Sequence, residues 1–65
     1  MSIDHYIVTI WKNGRTTKDS WQYARWGRPS GAKFQKVVQP RMDEIRRVDL
    51  VRSNGEIMVT INNDL

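Results

Sequence analysis

Two Asn-Gly dipeptides, Asn13-Gly14 and Asn54-Gly55, each stand between runs rich in β-branched and aromatic residues. This is the strongest short-range hairpin signal, because a type I′ turn needs positive φ at both central positions and these two residue types tolerate it. Upstream of the first, Asp4–Lys12 reads as a strand of period two, with Tyr6, Val8 and Ile10 on one side and Ile7, Thr9 and Trp11 on the other. A two-residue loop pairs Lys12 with Arg15, Trp11 with Thr16, Ile10 with Thr17, Val8 with Asp19 and Tyr6 with Trp21. Taking the face of Tyr6 and Val8 as core, Asp19 opposite Val8 places a carboxylate inside, so a bulge or break is expected near Lys18–Ser20. Past that point Trp21 and Tyr23, at alternate positions, suit a resumed strand on the core face. The alternative is a short helix capped by Asp19 or Ser20 and ended by Gly27.

The second hairpin joins Val48–Arg52 to Glu56–Asn62. A two-residue loop pairs Arg52 with Ile57, Leu50 with Val59 and Val48 with Ile61, so that Val48, Leu50, Ile57, Val59 and Ile61 share a core face. Asp49, Val51, Ser53, Glu56, Met58 and Thr60 make the solvated one. Residues Asn62–Leu65 are expected to fray.

Between the hairpins, Pro29 and two glycines make Trp26–Gly31 a loop. Ser30 then suits the cap of a helix whose Phe34, Val37 and Val38 fall at i, i+3 and i+4, with Pro40 as its stop. Pro40 also suits the first turn of a helical segment running to Arg47, with Asp43 and Glu44 near its positive end and Arg46 and Arg47 near its negative end. The competing reading makes Lys33–Gln39 a strand. The expected fold is α+β, a four-stranded antiparallel sheet from two hairpins with one short helix from the middle segment packed across a face. The alternative is a five-stranded all-β small barrel.

At 65 residues the chain is read as one small domain. A chain of this size buries only roughly 60% of the surface its unfolded form exposes, so its stability is thin. Without cysteine it has no disulfide, thiol nucleophile or cysteine-held zinc to reinforce it. The early acid Asp4 and the absence of a basic lead argue against a signal peptide, and no apolar run approaches the roughly 18 residues of a membrane span. A cytoplasmic protein without membrane contact is the expectation.

Chemistry has few candidate residues. His5 is the single histidine, and its neighbours Asp4 and Tyr6 give no metal-ligand spacing. Adjacent Asp43 and Glu44 point in different directions on a helix or a strand and do not converge on one bond. No phosphate-cradling Gly-rich motif or nucleophile elbow is present, so neither enzymatic activity, a metal nor a cofactor is expected.

Charge is more informative. The net charge is +4, yet Ser20–Met42 alone holds five basic residues and no acid, leaving six basic against seven acidic residues elsewhere. Such a local positive potential attracts phosphate backbones, anionic membrane surfaces or acidic protein faces, and charge alone does not choose between them. Aromatics interleave with the cations, and single-stranded nucleic acid rewards both: cations neutralise phosphates, and each stacked base is worth about 1–3 kcal/mol. The candidate contact residues are Arg25, Trp26, Arg28, Lys33, Lys36 and Arg41. Trp11, on the less apolar face of the first strand, joins them as a second exposed tryptophan, whereas Trp21 and Tyr23 are assigned to the core. The leading expectation is a small nucleic-acid-binding protein. Trp flanked by Arg suits protein interfaces equally, so the alternative is an accessory factor of phage or plasmid type that binds and modulates a larger host protein. A homodimer through an edge strand or the Trp11 face is a third expectation.

Overall fold

The computed structural model describes residues 5–63. Asp4, where the first strand is expected to begin, and Asp64 and Leu65 of the expected frayed tail lie outside the described residues. Two antiparallel hairpins, β1 (His5–Trp11) with β2 (Thr16–Ser20) and β3 (Ile45–Arg52) with β4 (Ile57–Asn62), join through β1 and β3 into one open sheet of order β2-β1-β3-β4. Between the hairpins come a single helical turn, α1 (Tyr23–Trp26), and a longer helix, α2 (Gly31–Val38), that continues as a 3-10 helix over Gln39–Glu44. The architecture is α+β. Lys33–Gln39 is helical, so the five-stranded barrel does not form, and there is more helix than the single short one expected.

Both Asn-Gly dipeptides sit at hairpin tips, but neither forms a type I′ turn. In each the glycine alone takes positive φ, 91° at Gly14 and 92° at Gly55, while Asn13 and Asn54 stay at negative φ. The Gly14 N–H donates to the Trp11 carbonyl at 2.9 Å and the Trp11 N–H to the Arg15 carbonyl at 2.8 Å, closing a three-residue loop. Arg52 and Gly55 repeat this, with Gly55 N–H on the Arg52 carbonyl at 2.9 Å and Arg52 N–H on the Glu56 carbonyl at 2.8 Å. The asparagine side chains explain the preference: the Asn13 and Asn54 amide oxygens each accept from the backbone N–H two residues on, at 2.9 Å, a bond that stabilises this turn and its bulge.

One extra loop residue shifts the register. Ile10 faces Thr16, Val8 faces Lys18 and Tyr6 faces Ser20, each one residue away from the expected partner. Asp19 lies opposite Ile7, and the ladder runs without a bulge to its end at Ser20. In the second hairpin an irregularity between Leu50 and Val51 absorbs the shift. Leu50–Val59 and Val48–Ile61 therefore pair as expected, but Ile57 pairs with Val51 instead of Arg52, leaves the core face and stays 50% exposed.

The β1–β3 pairing decides which side of the sheet is inside. Ile7 faces Leu50 and Thr9 faces Val48, so Ile7, Thr9 and Trp11 form the core face of β1, not Tyr6, Val8 and Ile10. Those three lie half-buried on the outer face near Val51, where the Lys18 ammonium sits 4.4 Å from the Tyr6 ring centroid. Asp49, expected on a solvated face, is only 8% exposed and pairs with Arg47 at 3.4 Å.

α2 covers the inner face. Ser30 caps it as expected, its hydroxyl accepting from the Lys33 N–H at 3.2 Å, and Phe34 and Val38 pack against Ile7, Ile45, Val48 and Leu50. Pro40 stands in the first turn of the 3-10 helix, which ends at Glu44; Arg46 and Arg47 belong to β3, so Asp43 and Glu44 close this helical segment where they were expected to open it. At the far end, Asn63 is held, not frayed: its N–H donates to the Arg46 carbonyl at 2.8 Å and its amide to the Met42 carbonyl at 2.7 Å.

Past β2 no strand resumes. Trp21 turns into the core at 2% exposure, and Tyr23 opens α1 at 38% exposure, outside the core to which it was assigned. Among the described residues no helix is long and apolar enough to cross a membrane.

Two glycines give opposite predictions. A Cβ at Gly14 would meet nothing within 4 Å, so Gly14→Ala carries conformational strain alone, about 1–2 kcal/mol of destabilisation at φ 91°. Gly31, in α2 and at ordinary φ, has only Val59 Cγ2 at 4.0 Å, so Gly31→Ala should stabilise by about 0.5 kcal/mol. Urea melts of the two variants check the contrast.

Candidate functional site

The site forms where α2 stops covering the sheet. β2 contributes no buried residue, so the inner surface beside it lies open. α1 folds over one end of this opening because Gly27, at φ 73°, lets the chain turn back: its N–H donates to the Tyr23 carbonyl at 2.8 Å. Two tethers then hold α1 in place. The Trp21 indole N–H donates to the Gly27 carbonyl at 2.8 Å, and the Lys33 ammonium donates to the Trp26 carbonyl at 2.9 Å, a cation on the negative end of a helical turn. The Trp26 ring packs edge-on against Trp21, with centroids 4.9 Å apart.

Trp26 thereby becomes the ridge between two adjoining grooves. The larger, about 510 Å³, has a floor of Ile7, Thr9, Val38 and Ile45, with Trp11 and Trp26 among its lining. Arg25 and Arg41 line it as cations, and Asp19 and Gln22 as the carboxylate and the amide. The smaller, about 450 Å³, is lined by Arg25, Trp26, Lys33, Lys36 and Val37. Of the seven residues expected to make contacts, six line one or both grooves. Arg28 is exposed and lines neither, because the turn at Gly27 carries it away from the ridge.

Trp11 reaches the site by a different route from the one expected. It lies on the core face, half-buried, past the end of α2, with its indole N–H donating to the Thr17 hydroxyl at 2.9 Å. It also lines a third recess of about 340 Å³ with Lys12, Asn13, Asp43 and Glu44. No group of three or more His, Cys, Asp or Glu converges to hold a metal ion among the described residues.

The cations of the site form no ion pair with a described carboxylate. Among the described residues the one ion pair is Arg47–Asp49, on the other face of the sheet, so Arg25, Lys33, Lys36 and Arg41 have no carboxylate within 4 Å. Asp19 and Gln22 were not among the expected contact residues. The conflict noted for Asp19 was their signal: a carboxylate on the inward side of a strand marks a place where the inside is open to water.

Comparison with protein-family models, with curated proteins and with solved structures finds no significant match to this chain.

Proposed function

We propose that this protein binds single-stranded nucleic acid along the two grooves. Arg25, Lys33, Lys36 and Arg41 neutralise phosphates, and the exposed parts of Trp26 and Trp11 stack on bases. The observation that carries this reading is the gathering of four cations without a carboxylate partner and two half-buried tryptophans around one ridge. A groove floored by apolar side chains and rimmed by guanidinium and ammonium groups suits a ligand with flat apolar faces and an anionic backbone.

Four phosphate contacts on a single strand give a slope of about −2.8 in log affinity against log salt. Affinity for a labelled oligonucleotide should thus fall about fiftyfold between roughly 50 and 200 mM salt. Fluorescence anisotropy measures this directly. Absence of binding at the lower salt would remove the proposal.

The outer sheet face favours a second reading, a protein partner. Tyr6, Val8, Ile10 and Val51 lie there half-buried, with no helix among the described residues packed over them, and the edge strand β4 adds exposed Ile57 and Met58. A larger host protein or a second copy of the chain would bury them. Sedimentation tests the second copy, and a pull-down that survives nuclease treatment tests the first.

A further inference from the structure

We infer that the larger groove is a pocket for one unpaired guanine of the bound strand, with Asp19 as the residue that selects it. This rests on the nucleic-acid reading of the same site and adds to it a base identity.

A carboxylate in the middle of a phosphate-binding surface is a cost, since it repels the backbone that the surrounding cations attract. Asp19 nevertheless lines the groove together with Arg25 and Arg41. Its side chain, like those of Gln22, Arg25 and Arg41, makes no hydrogen bond or ion pair with the other described residues. The hydrogen-bonding capacity facing the groove is therefore an acceptor-only carboxylate, an amide and two donor-only guanidinium groups.

Base chemistry distinguishes what can use that set. A carboxylate offers two acceptor oxygens side by side and wants two adjacent donors. Among the unmodified bases, guanine alone presents two adjacent N–H donors, N1–H and the 2-amino group, on its pairing edge, with the O6 acceptor beside them for a guanidinium or amide donor. Adenine, cytosine and thymine or uracil each place an acceptor next to their single donor group and would leave one carboxylate oxygen facing it.

Shape agrees with an extruded base. At about 510 Å³ the groove falls within the roughly 300–1,000 Å³ of small-ligand pockets, and its apolar floor with tryptophan at its sides suits a planar ring. A base can reach it only when unpaired, because its pairing edge is the edge being read. Arg25 belongs to both grooves, so the phosphates next to the seated guanine continue toward Lys33 and Lys36.

The test uses the intact protein and ten-nucleotide oligothymidine probes carrying one central guanine, hypoxanthine, adenine or cytosine, titrated by anisotropy. The guanine probe should bind about tenfold tighter than plain oligothymidine, within the range that one bidentate base contact confers. The hypoxanthine probe, which lacks only the 2-amino group, should lose most of that gain. Asp19→Asn should abolish the guanine preference, with oligothymidine binding tightening as the repulsive charge is removed. Asp19 is exposed on an edge strand, so the variant should fold, and the hypoxanthine probe tests the same contact without altering the protein. If Asp19→Asn strengthens every probe equally, Asp19 is only a repulsive charge and the guanine pocket is wrong; a preference for another base overturns it too. Failure of all probes to bind would instead overturn the nucleic-acid function beneath it.

Discussion

Trp21→Ala should unfold most of the population at room temperature. Trp21 is 2% exposed, belongs to the core with Phe34, Ile45, Val48 and Leu50, and supplies the N–H that binds the Gly27 carbonyl. Truncating a buried aromatic costs about 3–5 kcal/mol, and a domain this small has little more than that in total. The cost is not only the cavity. Without the indole, Trp26 loses its packing partner and α1 one of its two tethers. Trp21→Phe separates these contributions: it keeps most of the apolar volume and loses the hydrogen bond, so it should cost about 1–3 kcal/mol. Tyr23→Ala is the control. Its hydroxyl meets only His5 Nδ1, at 2.7 Å in an exposed position, and the loss should stay within about 1 kcal/mol. Urea melts followed by circular dichroism rank the three, and a Trp21→Ala melt close to wild type would show that the first hairpin and α2 hold without this anchor.

The hairpins were legible because period two and Asn-Gly are local signals, and Val48–Ile61 and Leu50–Val59 pair as the alternation requires. The inner face of β1 was not legible. Tyr6, Val8 and Ile10 are more apolar than Ile7, Thr9 and Trp11, yet β3 pairs so that Thr9 goes inside, a choice made by a strand some 40 residues away. Turn type failed for a smaller reason. The Asn side-chain acceptor favours a three-residue loop, and a shift of one residue changes every partner along the ladder. α1 is too short to carry a hydrophobic period, so Trp21 and Tyr23 gave the appearance of a strand when Gly27 was the better guide. The cations of the site could be read from charge distribution alone. Their convergence could not, because it needs α1 to fold Arg25 and Trp26 back against Lys33 and Lys36, through a lysine that acts as both tether and charge.

That dual role determines which substitutions can test binding without disturbing the fold. Lys33→Ala would remove a cation and also release the Trp26 carbonyl, so a loss of affinity there has two causes. Arg25→Ala with Lys36→Ala avoids the problem, since neither side chain makes a hydrogen bond or ion pair with the other described residues. Removing two of four phosphate contacts should halve the salt slope to about −1.4, so that affinity falls only about sevenfold where wild type falls about fiftyfold. At the lowest salt the double variant should bind one to two orders of magnitude more weakly, an effect of about 1.4–2.8 kcal/mol. Trp26→Leu should weaken binding too, but without changing the slope. Leucine keeps an apolar contact on Trp21 but has no ring face for a base, so affinity should drop by about 1–3 kcal/mol while the slope stays at the wild-type value. The two variants thus separate charge from stacking on one plot of log affinity against log salt. Parallel lines for wild type and the double variant would mean that Arg25 and Lys36 meet no phosphate, and the ridge would then have to be reassigned to a protein partner.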